Sequence, residues 1–178
     1  NTLISTVIVG KTHDVVFAKD DITLIHELAC QAFPATYRDL LSREQIDFMM
    51  DWMYSLPSLR NQMMELGHSY FIAYDGSKAV GYVSVQPQGT DVYHLQKIYV
   101  LPDCQGHGYG KQLFLYAVEV VRSLHPTGPC RIELNVNRQN IALQFYQKMG
   151  MYKISEGDFE IGNGYCMNDY IMALDVNP

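Results

Sequence analysis

Apolar positions along this chain follow two periods, and an element boundary is expected wherever one gives way to the other. Residues 15–18 form a short β-branched and aromatic run that reads as a first strand. Asp20 or Asp21 can cap a helix whose face is Ile22, Ile25, Leu28, Ala29, Ala32 and Phe33. Ser42 followed by Gln45 is a capping-box signature for a second helix, with Ile46, Met49, Met50 and Met53 on one side. Pro57 suits the first turn of a short third helix that Gly67 would close. The period then drops to two. Residues 70–74 and 79–85 flank Asp75-Gly76-Ser77-Lys78 and predict a hairpin. Residues 93–101 predict a further strand ended by Pro102, and 110–124 a long helix with Leu113, Phe114, Ala117, Val120, Val121 and Leu124 at helical spacing. A strand over 131–136, a helix from Asn140 to Met149 stopped by Gly150, and strands near 152–159 and 165–174 about Gly162-Asn163-Gly164 complete the order. Written βααα-βββ-α-β-α-ββ, it predicts an α/β fold, a mixed sheet flanked by helices.

Composition adds limits. A chain of 178 residues with 48% hydrophobic and 18% charged content suits one globular domain over 1–178, with 1–12 as an edge strand or ordered extension. The net charge of −6 and the lack of a basic run argue against a nucleic-acid partner and are compatible with a cationic substrate. Cys30, Cys104, Cys130 and Cys166 lie far apart with no C-x-x-C pair and no histidine cluster. Neither a disulfide framework nor a metal site is expected, and a cytoplasmic location is the default. The apolar run at 3–9 is too short to span a membrane, so no membrane partner is expected. A homodimer stays open.

Chemistry concentrates at Gln105-Gly106-His107-Gly108-Tyr109-Gly110, between the strand at 93–101 and the long helix. Glycines at a strand-to-helix junction let backbone N–H groups converge at a helix N-terminus, where the macrodipole also favours negative charge. Such a loop can hold a phosphate or pyrophosphate, or it can be an ordinary glycine-rich turn. The spacing G-x-G-x-G is neither a Rossmann fingerprint nor a P-loop.

The spacing of Gln105, Gly108 and Gly110 after Ile98-Tyr99-Val100-Leu101-Pro102 resembles the acyl-CoA pyrophosphate loop of the GNAT superfamily of N-acetyltransferases. Downstream, Asn140-Ile-Ala-Leu-Gln-Phe-Tyr146-Gln-Lys148-Met-Gly150 is similar to that family's later N…A…FY-x-K-x-G segment. The resemblance covers residues 70–175 closely and the N-terminal third more loosely. It implies a GNAT-like, mostly antiparallel central sheet, acetyl-CoA as cofactor with CoA as product, and direct acetyl transfer to a primary amine in a ternary complex. It further implies that backbone N–H groups of Ile98, Tyr99 and Val100 meet the pantetheine and the thioester carbonyl. Residues 105 to 111 (Gln105, Gly106, His107, Gly108, Tyr109, Gly110 and Lys111) would hold the pyrophosphate, with Asn140, Tyr146 and Lys148 as further cofactor contacts.

Tyr146 is then the expected proton donor to the departing thiolate, although its spacing alone fits a helix aromatic beside Phe145 equally well. Asn140 most simply caps its helix. Many relatives carry a glutamate two residues before the IYV run; here Gln96 stands there and cannot take a proton. The base role would pass to His94, to Glu133 or to a water chain, and His94 is the residue carried forward. Phe33, Tyr37 and Gln96 fall on the acceptor side. The C-terminal segment around Asp158, Glu160 and Asp169 is similar to bacterial polyamine (spermidine/spermine or diamine) N-acetyltransferases, whose acceptor would pair its ammonium groups with such carboxylates. Two other functions remain: acetylation of a protein N-terminus or lysine, and a non-catalytic CoA-binding sensor module, to which Gln96 lends support.

Overall fold

The computed structural model describes residues 14–19 and 21–178, and the expected extension at 1–12 lies outside them. Local signals build most elements. β1 (Asp14–Phe17) leads into α1 (Ile22–Tyr37), where the Asp21 side chain accepts a hydrogen bond from the Leu24 backbone. α2 (Arg43–Tyr54) starts at Ser42, whose hydroxyl accepts from the Gln45 backbone at 3.1 Å. The Gln45 side chain does not complete the capping box; its amide reaches across to the Cys166 carbonyl at 2.9 Å. α3 (Leu56–Met64) begins at the Ser55 cap with Pro57 in its first turn.

Next come β2 (Ser69–Asp75), β3 (Lys78–Pro87) and β4 (Val92–Val100). α4 (Tyr109–Leu124) crosses over to β5 (Cys130–Asn137). α5 (Ala142–Lys148), β6 (Tyr152–Gly162) and β7 (Tyr165–Val176) end the chain. Several boundaries differ from expectation, most of them by one or two residues. α4 starts one residue early because Gly108, at φ +85°, serves as its N-cap. α5 starts later than Asn140, whose side chain instead accepts from the Ala142 backbone at 2.9 Å and forms an Asx turn ahead of the helix. β6 runs on to Gly162 because it pairs with β7 almost to the Asn163 turn, and β7 runs on to Val176 because its end pairs with Cys130 and Arg131 of β5.

Among the described residues seven strands form one sheet in the order β1-β2-β3-β4-β5-β7-β6, antiparallel at every junction except the parallel β4–β5 pair. This is the mixed, mostly antiparallel sheet expected. Alternation along the strands assigns the two faces. Phe71 meets Tyr116 of α4 with ring centroids 5.2 Å apart, and Leu113 of α4 packs on Gly81. On the other face Tyr82 and Tyr99 meet Tyr54 and Phe33 from the α1–α3 layer at 6.1 and 6.0 Å. Gly81 allows the close approach of β3 to β4, because a Cβ there would lie 2.6 Å from the Tyr99 carbonyl oxygen. Among the described residues no helix is long and apolar enough to cross a membrane.

Candidate active site

The parallel junction is short. β4 and β5 pair at Val92 with Arg131, Tyr93 with Ile132 and His94 with Glu133, and then diverge. Beyond that rung β4 is bonded, among the described residues, to β3 alone, so about half of its backbone polar groups face away from a described strand. A bulge marks the same point: Ser84 pairs with Lys97 and Val85 with Leu95, leaving Gln96 without a rung. Bulges re-aim the chain locally and commonly border sites. The cleft between the separated strands has a volume of about 830 Å³. Residues 95–100 and 134–136 form its walls, the end of α1 covers it, and the glycine loop and α5 close the far side.

At one end the glycine loop enters α4. Gly108 takes φ +85° and Gly106 φ +84°, and beyond its chain neighbours a Cβ at either would meet no described residue within 4 Å. Among the described residues no side chain caps the 16-residue helix, so its first N–H groups remain directed at the opening. Uncapped donors and the positive end of the macrodipole suit an anion there. Gln105 braces the loop by donating to the Val100 carbonyl at 3.4 Å, and Tyr109 donates from its hydroxyl to Asp75 at 2.7 Å. Gln105, Gly106, Gly108, Tyr109, Gly110 and Lys111 all line the cleft. His107 does not: its Nδ1 lies 3.1 Å from both the Cys104 and Gln105 carbonyls, so the ring folds back on the loop. Lys148 is exposed and off the cleft, because it projects from the outer face of α5.

In the middle, three phenols converge from different elements. Tyr37 ends α1, Tyr99 lies on β4 and Tyr146 on α5, and all line the cleft with Asn140. Tyr99 and Asn140 donate to the Tyr37 oxygen, while burial pushes that phenol up from its ordinary pKa. Burial also holds Tyr146 well above the ordinary phenol range, with Tyr37 adding a smaller push. Tyr146 therefore remains protonated at neutral pH.

The expected base is misplaced. His94 occupies the last rung of the β4–β5 pair and does not line the cleft, because the strands separate only after it. Burial lowers its pKa against the opposing pull of Glu133. Gln96 lines the cleft, its amide donating to the Gln86 side chain at 2.7 Å. Ile98, Tyr99 and Val100 line it.

On the acceptor side, Tyr37 stands in the cleft but Phe33 is only 1% exposed and packs between Tyr37, Tyr54 and Tyr99. It belongs to the core, on the inward face of α1. Asp158 and Glu160 also lie away from the cleft, because β6 is the outermost strand, beyond β7. Asp158 pairs there with Arg138 at 3.1 Å. Asp169 is placed differently. On β7 it is 6% exposed and accepts from Asn135, a cleft residue, at 3.3 Å.

Sequence reasoning overlooked Lys97. Its alternation with Tyr99 puts it on the α1–α3 face, where it is 7% exposed and the partners of its ammonium are neutral. They are the Gln62 oxygen at 2.7 Å, the Tyr70 hydroxyl, the Met53 carbonyl at 3.5 Å and the Tyr54 ring at 4.4 Å. An ionisable residue at an inward position of the strand pattern was the available signal. Burial lowers its pKa from 10.5 to about 7. The unfolded chain therefore binds one more proton than the folded chain across that window, and this group's contribution to stability rises with pH there. Lys97→Met is expected to remove a slope of up to about 1.4 kcal/mol per pH unit between about pH 7 and 9.5. Denaturant unfolding of both chains at several pH values measures it, and parallel curves would refute the assignment.

The sequence profile of the Acetyltransferase (GNAT) family matches residues 22–151. The chain is 25% identical over 144 residues to the spermidine N(1)-acetyltransferase of Thermoplasma acidophilum, an alignment covering 78% of this chain and 86% of that one. Its fold superposes on the PaiA N-acetyltransferase of Thermoplasma acidophilum in complex with coenzyme A with a TM-score of 0.71 at 20% identity, covering 94% of this chain and 100% of that one. The ribosomal-protein-S18-alanine N-acetyltransferase of Escherichia coli gives a TM-score of 0.68 at 16% identity, with 93% and 95% covered. One fold thus carries enzymes named for quite different acceptors.

Proposed function

The chain belongs to the GNAT acetyltransferase family, and from that premise we propose that it transfers the acetyl group of acetyl-CoA directly to a primary amine of a small polycationic molecule, a polyamine such as spermidine. One observation carries the reading. The cleft between β4 and β5 joins an uncapped, glycine-lined helix N-terminus at one end to a cluster of phenols in the middle. That shape fits a long anionic thioester. Gly106 and Gly108 leave open space where a Cβ would stand, which lets a pyrophosphate approach the backbone donors of α4.

When bound, acetyl-CoA supplies an acetyl carbonyl activated as a thioester. The chain's part is to hold and polarise it. Those backbone donors of 98–100 that face away from β3, left without a strand partner by the divergence of β5, are available to the pantetheine and to the carbonyl oxygen. Fixed donors stabilise developing negative charge without reorganising. Tyr146 holds a proton on its hydroxyl for the departing sulfur. The end of α1, with Tyr37, covers the reacting region and limits water.

The polyamine acceptor is supported by the name of the Thermoplasma relative and by the net charge of −6. A panel of spermidine, spermine, short diamines, monoamines, amino acids, aminoglycosides and peptides, followed by thiol release, tests it. Polyamines are expected to exceed an alkyl monoamine by about tenfold or more in kcat/KM, the equivalent of roughly 1.4 kcal/mol of added recognition. The preference should shrink as salt rises. A peptide or a monoamine turned over faster than spermidine would overturn the polyamine assignment and leave the acetyltransferase in place.

A further inference from the structure

Gln96 cannot take a proton, His94 lies outside the cleft, and Lys97 turns its nitrogen to Gln62 and Tyr70, which leaves one buried carboxylate behind the cleft wall, bonded to the lining residue Asn135, without an assigned role. Asp169 is 6% exposed. One of its oxygens, Oδ2, accepts from the Asn135 side chain at 3.3 Å. The other, Oδ1, is buried with no hydrogen-bond partner among the described residues. Buried carboxylate oxygens are rarely left so, and an unmatched acceptor beside a cleft calls for a donor from a ligand. Asn135 lines the cleft and its side chain bonds Asp169, so the two share one face of the sheet at the point where β4 and β5 have separated. The Asp169 charge is felt at the Tyr37 phenol, which lines the cleft from the opposite side.

We propose that Asp169 is the proton acceptor for the attacking amine, its Oδ1 receiving a hydrogen bond from the acceptor nitrogen and then removing one proton. This rests on the acetyltransferase reading. In the step, an N–H bond of the ammonium breaks, an O–H bond forms at Oδ1, and the electron pair stays on nitrogen as the nucleophile. The new C–N bond forms as the C–S bond breaks, and the sulfur takes the Tyr146 proton. A second proton from nitrogen restores Tyr146, and Asp169 gives its proton to water, so one proton leaves per turnover.

The surroundings suit this role. Burial raises the Asp169 pKa, which makes the carboxylate a stronger base, while Asn135 and Arg138 hold it down. Arg138 has other partners, donating to the Gly157 carbonyl at 3.0 Å and to Asp158 at 3.1 Å. Facing Asp169 are therefore Asn135 and Arg138 from β5 and the turn after it, and Tyr37 from α1. Glu133 shares the Asn135 face one pleat repeat further along β5.

The test compares parent, Asp169→Asn and Asp169→Glu with the best amine of the panel across pH, alongside CoA affinity. Asp169→Asn is expected to lose about 100-fold in kcat/KM near neutral pH with CoA affinity unchanged, as removal of a general base does. The deficit should shrink as pH approaches the ordinary amine value of about 10.4, where solvent supplies neutral amine. Asp169→Glu should recover part of the rate. An Asp169→Asn chain within threefold of an active parent at every pH, or a pH-independent loss that Asp169→Glu does not relieve, would overturn the proposal and leave the acetyltransferase standing. A parent that binds CoA but acetylates no amine would overturn both.

Discussion

Replacing Gly108 by valine is expected to abolish CoA binding while leaving a folded chain. Gly108 takes φ +85° at the entrance to α4, and beyond its chain neighbours no atom of the described residues lies within 4 Å of where its Cβ would stand. The substitution therefore meets no neighbour, and its cost to the fold is the backbone strain of a left-handed residue, about 1–2 kcal/mol. The open space, however, is where an anion must sit to reach the first N–H groups of the helix. Two charge-assisted hydrogen bonds of about 1.5–3 kcal/mol each would be lost, which amounts to roughly 100-fold or more in affinity. Gly110→Ala is the matched control. Its Cβ would meet Val100 and Phe145 at 3.8 and 3.9 Å, ordinary contacts, without positive φ. It should keep the fold intact and cost less affinity. Calorimetric titration with CoA and thermal melts measure both quantities. Undiminished affinity in Gly108→Val would remove the anion from this loop and with it the cofactor's expected position.

How far the chain could be read before folding depended on the range of the interaction concerned. Ser42, Pro57 and the Gly76 hairpin act within a few residues, and each stands where its chemistry put it. The glycine loop was legible for the same reason: Gly108 must supply its own φ whatever surrounds it. Failures came where long-range packing decides. Phe33 and Tyr37 sit one helical turn apart and looked equivalent, yet only Tyr37 reaches past the end of α1 into the cleft. Asp158 and Asp169 face each other's strands in one hairpin, but β7 lies against β5 and β6 lies outside it. That strand order separates a carboxylate beside the cleft from one at the sheet edge, and nothing local announces it. The bulge at Gln96 likewise arises from the register with β3, where two residues of one strand oppose three of the other.

Tyr146→Phe separates the proton-transfer role from the packing role that spacing alone left equally open. The ring is 7% exposed and packs against Phe145 and Phe114 at 5.5 and 6.4 Å, contacts that phenylalanine keeps. Stability should therefore change little, and CoA affinity by no more than a few-fold. What disappears is the hydroxyl. Burial raises the Tyr146 pKa, which at first sight makes it a poor acid for a thiolate whose conjugate thiol ordinarily sits near ~8.5. The same burial acts on the thiolate, though, since any anion in that cleft is denied water. Both acids rise together, so the transfer stays near balance, and the phenolate left behind is quickly reprotonated by the product nitrogen. Loss of a positioned general acid is expected to lower kcat by about 100- to 10,000-fold with KM for the amine nearly unchanged. A donor thioester with a more acidic thiol leaving group should suffer a smaller loss, because its thiolate needs less help to depart. A kcat within a few-fold of the parent with both thioesters would show that Tyr146 only packs, and that the sulfur takes its proton elsewhere.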